Sequence, residues 1–195
     1  MSDIIFKIVA LSLLCIFYMV YLGKMIAQKK RGIQTDQIAK GNKQKKVFII
    51  ELIMKFATYL VVLMEVISIF ANWSWLPTPL KIAGIFFALT GDIIFVMAVF
   101  TMKDSWRAGI PERDKTTMIT SGIYGYSRNP AFLGFDLVYL GLLMMYFNIV
   151  LFIFSMFAIV MLHLQILQEE KFLQEVFGKT YMDYQSSVMR YLGRK

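Results

Sequence analysis

Histidine and cysteine each occur once in these 195 residues, and that scarcity removes several chemistries at the outset. Cys15 stands alone inside an apolar run, so no intrachain disulfide can form and the cysteine count says nothing about redox compartment. His163 is equally solitary, which excludes a histidine-built metal centre; it reads as a packed or hydrogen-bonded helix residue. There is no GxGxxG loop, no Walker loop, no HExxH pair and no Ser-His-Asp set, so the familiar nucleotide, zinc-protease and hydrolase signatures are all missing. Internal repeats and low-complexity tracts are missing too. The first apolar run lacks a basic leader and a small-residue cleavage site before its lysines, so the expectation is a retained membrane helix rather than a signal peptide.

What is present in excess is apolar surface. The chain is 58% hydrophobic and 15% aromatic, above the share usual for a soluble domain. Apolar runs at 4–27, 47–71, 79–102 and 131–167, the last broken near Asn148, are each of bilayer length or divide into two shorter spans. The predicted fold class is therefore an all-α integral membrane protein with about five transmembrane helices. It forms a single membrane domain over 1–195: three N-terminal spans in 1–102, then a loop, a helical hairpin and a C-terminal helical region in 103–195. Gly84, Ala88 and Gly91 on the third span, and Gly134 and Gly141 on the fourth, supply small faces for close helix packing.

The net charge of +8 does not point to nucleic acid, because of where it sits. Lys29, Lys30, Arg31, Lys40, Lys43, Lys45 and Lys46 crowd one connector, opposed by Asp36 alone. The positive-inside rule makes this loop cytoplasmic, with the N-terminus outside and the C-terminus inside. Trp73 and Trp75 then fall at the outer interface. Three ionisable residues inside spans, Lys55, Asp92 and Asp136, reach similar depth and are expected either to meet in a buried cluster or to be paired locally, for instance Glu51 with Lys55.

Two polar runs interrupt this pattern without any need of membrane anchoring: MITSGIYGYSRNPAF at 118–132 and QILQEEKFLQEVFGKTYMDY at 165–184. Both fall on the face assigned to the cytosol. Pro130 keeps Asn129 out of the α conformation and starts a helix, whose free N–H groups, with the Asn129 amide, suit a carboxylate. The extended segment Thr116, Thr117, Met118 and Ile119 can offer backbone groups to an adenine edge. Tyr124 offers a ring face, and Glu169 can pair with an ammonium. A zwitterionic, cationic, adenine-bearing cofactor fits this set, S-adenosylmethionine being the common example.

The order SGIYGYSRNPAFLG, apolar hairpin, EEKFLQEVFGKTYMDY resembles the membrane isoprenylcysteine carboxyl methyltransferases and related phospholipid methyltransferases, over about residues 103–192. The resemblance implies that S-adenosylmethionine is held by Thr116–Ile119, Tyr124, the turn Asn129, Pro130, Ala131 and Phe132, and Glu169, with Arg128 steadying the turn or the cofactor carboxylate. Arg190 and Tyr181 are implied supports from the tail. Asn129 stands where relatives more often carry histidine. Gln165 stands where the eukaryotic prenylcysteine enzymes carry an arginine for the substrate carboxylate; it is the nominated substrate contact, and an amide there leaves the lipophilic methyl acceptor open among prenylcysteine-like carboxylates, phospholipid amines and other isoprenoids. No general base is required when the nucleophile is a carboxylate or free amine; Glu170, Asp136 and Arg128 are the nearest catalytic candidates. Two other readings compete: a membrane isoprenoid or steroid reductase using NADPH, disfavoured by the missing basic cluster for a 2′-phosphate, and a non-catalytic scaffold or transporter subunit.

Overall fold

The computed structural model describes residues 2–111 and 117–195. Six α-helices account for most of it: α1 Asp3–Lys30, α2 Lys45–Ala71, α3 Thr78–Met102, α4 Pro130–Met145, α5 Ile149–Phe177 and α6 Lys179–Ser187. Among the described residues there is no β-strand, only two isolated bridges, Asp36 with Ala108 and Val188 with Arg194. Four helices, α1, α2, α3 with its short 3-10 extension, and α5, are long and apolar enough to cross a membrane; α4 is a shorter apolar helix. This is an all-α membrane protein.

Local chemistry sets the helix ends. Asn72 closes α2 in the left-handed conformation at φ 54°, which asparagine tolerates. Pro79 and Pro130 lie in the first turns of α3 and α4, where no intrahelical N–H is lost. Asn148 caps α5 by accepting from Leu151 N at 2.9 Å. The hairpin turn therefore falls where the sequence placed it, but its arms are unequal. α4 has 16 residues and α5 has 29, so α5 is one continuous rod that carries the 165–177 run past the apolar zone. Gly178, at φ 52°, separates it from α6, and α6 stops at Ser187.

The tightest joint is α3 on α4. A Cβ on Gly91 would meet Gly134 O at 2.7 Å, and one on Gly134 would meet Gly91 O at 3.0 Å, so both glycines are read by backbone proximity. α2 packs on α5 and α1 on α3, while α1 and α2 meet little. Inside the cleft so formed, Phe17, Tyr21, Phe95, Trp106 and Phe135 make an aromatic cluster with ring centroids 4.4–6.4 Å apart.

The two ends of the bundle are distinct. At one end Asn72 meets Asp3, Ser74 meets Met145 O and Trp75 N meets Phe147 O, gathering the N-terminus, the Trp turn and the hairpin turn. At the other, the basic connector, residues 103–111 and 117–129 and the C-terminal tail converge. The proposed intramembrane cluster of Lys55 with Asp92 or Asp136 does not form. Lys55 turns toward the connector and pairs with Asp36 at 3.8 Å, and Glu51 pairs with Lys43 rather than Lys55. Both Asp92 oxygens and Asp136 Oδ1 are buried without a hydrogen-bond partner among the described residues.

Candidate functional site

The α4 entry is assembled by the chain's last residues. Arg128 is buried, and its guanidinium donates to Gln185 O, Val188 O and Glu170 Oε1, the last at 2.9 Å. Glu170 also takes Arg190 Nε and Nη2 and the Asn129 amide. Main-chain bonds from Arg128 N to Met189 O and from Gly193 N to Tyr126 O stitch the tail onto the turn. The Tyr184 hydroxyl donates to Tyr124 O at 2.6 Å, and burial pushes the Tyr184 phenol up to about 12. His163 Nδ1 lies 2.7 Å from the Tyr191 hydroxyl with the rings stacked, tying α5 to the tail in the structural manner expected of it.

This scaffold borders a cavity of about 920 Å³, counting its open mouth. Nine of the ten nominated cofactor residues line it: Thr117, Met118, Ile119, Tyr124, Asn129, Pro130, Ala131, Phe132 and Glu169. Thr116 lies outside the described residues. The main-chain N–H groups of 117–119 and of Ala131 and Phe132 have no partner among the described residues, and all five residues line the cavity. Glu169 keeps one carboxylate oxygen uncommitted, the other accepting from Gln165 Nε2 at 3.0 Å. Phe172, Leu173, Phe177, Tyr181 and Tyr184 complete the far wall.

A second cavity, of about 700 Å³, adjoins the first and is predominantly apolar. Tyr18, Tyr21, Met54, Thr58, Tyr59, Phe95, Phe135 and Leu162 line it, and Tyr59 at the α1–α2 gap is 64% exposed. Six residues border both spaces: Trp106, Arg107, Gly109, Ala131, Phe132 and Glu169. Two carriers of that wall come from the N-terminal helices. Gln28, fully buried in α1, donates to Trp106 O and accepts from the Thr35 hydroxyl, and Glu51, fully buried in α2, accepts from Ile110 N at 2.9 Å.

Residues 83–175 match the family model of the isoprenylcysteine carboxyl methyltransferase (ICMT) family. Just under half of the chain is thus similar to a family of membrane methyltransferases. The ICMT stretch runs from α3 to the end of α5 and so contains the shared wall, the Arg-Asn-Pro turn and Glu169, while α1, α2 and the tail lie outside it. None of the curated proteins compared matches the chain.

Three nominated residues stand elsewhere than their nominations suggested. Gln165 borders neither cavity; it is fully buried and bridges Glu51 to Glu169. Glu170 is consumed by two arginines and Asn129, and it borders neither space. Asp136 is buried on α4, also off both walls. Arg128 borders the first cavity with its guanidinium committed to the tail and Glu170. The residues that sequence reasoning passed over are Trp106, Arg107 and Gly109 of the shared wall and the tyrosines of α1 and α2. The one signal for them was aromatic and glycine residues in a polar connector and tyrosines in otherwise aliphatic spans.

Proposed function

We propose that the protein transfers a methyl group from S-adenosylmethionine to a lipophilic acceptor at the cytoplasmic membrane face. The observation that carries this reading is the pair of adjoining cavities, one lined by unpartnered backbone donors and a carboxylate, the other apolar and lined from both α1 and α2. The donor set fits the cofactor. The free N–H groups of Ala131 and Phe132 suit its carboxylate, Glu169 its ammonium, the 117–119 edge its adenine, and the aromatic wall its rings and sulfonium. When bound, S-adenosylmethionine supplies an electrophilic methyl group. What the chain's residues contribute is alignment, and holding two reactants in register is worth about 7–11 kcal/mol of barrier. Trp106, Phe132 and Glu169 form the partition across which the two reactants face each other, and the apolar lining keeps water from the acceptor side. No side chain at the partition is arranged as a dedicated base, which suits a carboxylate or unprotonated amine nucleophile.

Equilibrium binding of radiolabelled S-adenosylmethionine to purified protein tests the reading. Wild type is expected to bind, and Glu169→Ala to bind at least tenfold more weakly, the loss of about 1.4 kcal/mol or more. Equal binding by both removes Glu169 from the ammonium role, and no binding by wild type removes the cofactor. Incubating membranes with the labelled cofactor and extracting lipids should then place the label in the organic phase.

A further inference from the structure

The buried carboxylate of Glu51 lies outside the ICMT stretch and outside both cavities, yet two of its partners, Ile110 and Gln165, lead to the cavity walls. It is wholly shielded from water and saturated. Oε1 accepts from Ile110 N at 2.9 Å and from Gln165 Nε2 at 3.4 Å. Oε2 accepts from Ala39 N at 2.7 Å and from the Lys43 ammonium. Four donors, one of them cationic, surround the carboxylate in a site built around it.

The donors come from three segments: Ala39 and Lys43 from the connector, Ile110 from the wall and Gln165 from α5. Ala39 sits in the left-handed region at φ 51°, a conformation unfavourable for a non-glycine residue, and its N–H donates to Glu51. The neighbouring Ile38 backbone lies so close to Gly109 that a Cβ there would meet Ile38 N at 2.8 Å. Ile110 is the next residue along the wall. Gln165 passes the fourth bond on to Glu169 Oε1. One side chain of α2 thus fixes the connector, the 108–110 wall and, through Gln165, the orientation of the carboxylate that borders both cavities.

We propose that Glu51 is a positioning residue for methyl transfer: it sets Glu169 and the 108–110 wall in register through Gln165 and Ile110, without touching either reactant. This rests on the reading of Glu169 as the cofactor's ammonium partner. Its signature is coupling. A residue that only stabilises the fold lowers binding by the same factor whatever stands at position 169, whereas a residue acting through Glu169 has nothing left to act on once that carboxylate is gone.

The test is a double-mutant cycle on S-adenosylhomocysteine binding by calorimetry, with purified full-length protein in lipid nanodiscs. Glu51→Gln places an amide N–H against one of two donor pairs, and affinity is expected to fall about tenfold. In a Glu169→Gln background the same change should cost less than twofold. Gln165→Leu, which removes only the bridge, should reproduce the loss and decides the matter if Glu51→Gln does not fold. Wild-type affinity in Gln165→Leu, or equal losses in both backgrounds, overturns the proposal. Failure of wild type to bind at all overturns the cofactor reading instead, and this proposal with it.

Discussion

Glu170 and Glu169 are sequence neighbours with different work, and the difference is one of helix face. Glu169 turns to the cavities, whereas Glu170 turns to the tail and holds Arg128, Arg190 and Asn129 together. Its side chain is 6% exposed, so removing it strands a buried Arg128 whose Nε already lacks a partner among the described residues. Breaking a buried pair by deleting one member typically costs about 3–5 kcal/mol. Glu170→Ala is therefore expected to release the 188–195 tail. Its cleavage by a nonspecific protease should be much faster than in wild type, and the thermal midpoint should fall. A tail as resistant as wild type would show that the main-chain stitching alone suffices. The sequence supplied the cavity residues of the Arg-Asn-Pro turn because a proline and a helix start have local signatures. It named Glu169 for the cofactor but offered Glu170 as a catalytic candidate rather than a tail anchor, since where each member of an EE pair points is decided by how α5 rotates against α2 and the tail. Gln165 was similarly opaque: its role comes from Glu51, more than a hundred residues away in sequence.

Among the elements, α3 and α4 form the joint on which the site depends, because α4 begins at the Arg-Asn-Pro turn and has only 16 residues with which to hold its place. The joint is made by glycines. A Cβ at Gly141 would lie 2.5 Å from Ala88 N and 2.6 Å from Gly84 O, both backbone atoms that cannot step aside. Gly141→Ala should thus separate the helices and cost about 1–3 kcal/mol, the usual range for overpacking. Gly23→Ala on α1 has nothing within 4 Å of the new methyl and should be neutral or stabilising by up to about 1 kcal/mol. Thermal unfolding of the two variants in the same detergent checks the contrast, and equal midpoints would remove the close-packing argument. These small faces were readable from spacing alone, as was the turn at Asn148. The continuity of α5 was not, because a polar run after an apolar one reads equally as a new surface helix or as the same helix leaving the membrane.

At the scale of the whole molecule, the contacts fix which segments share an end. Asp3, Asn72, Trp75 and Phe147 gather at one pole, and Arg31, Asp104, the Arg-Asn-Pro turn and the tail at the other. The orientation proposed for these poles rests on charge. Lys29, Lys30, Arg31, Lys40, Lys43, Lys45 and Lys46 all lie on the connector at the site's pole, and basic residues in short loops are retained on the cytoplasmic side. In the proposed orientation a methyl donor made in the cytosol would meet the first cavity directly, while a lipophilic acceptor would reach the second from the bilayer. Cys15, exposed on the outside of α1, is the single native cysteine, so replacing it by serine clears the background for sidedness mapping. In that background Ser2→Cys and Lys179→Cys put one thiol at each pole, both at exposed positions. A membrane-impermeant maleimide added to intact cells is expected to label the cysteine at position 2 and to reach the one at 179 only after lysis. The reverse pattern would turn the protein over, and with it the cofactor cavity would face a compartment that does not contain the donor.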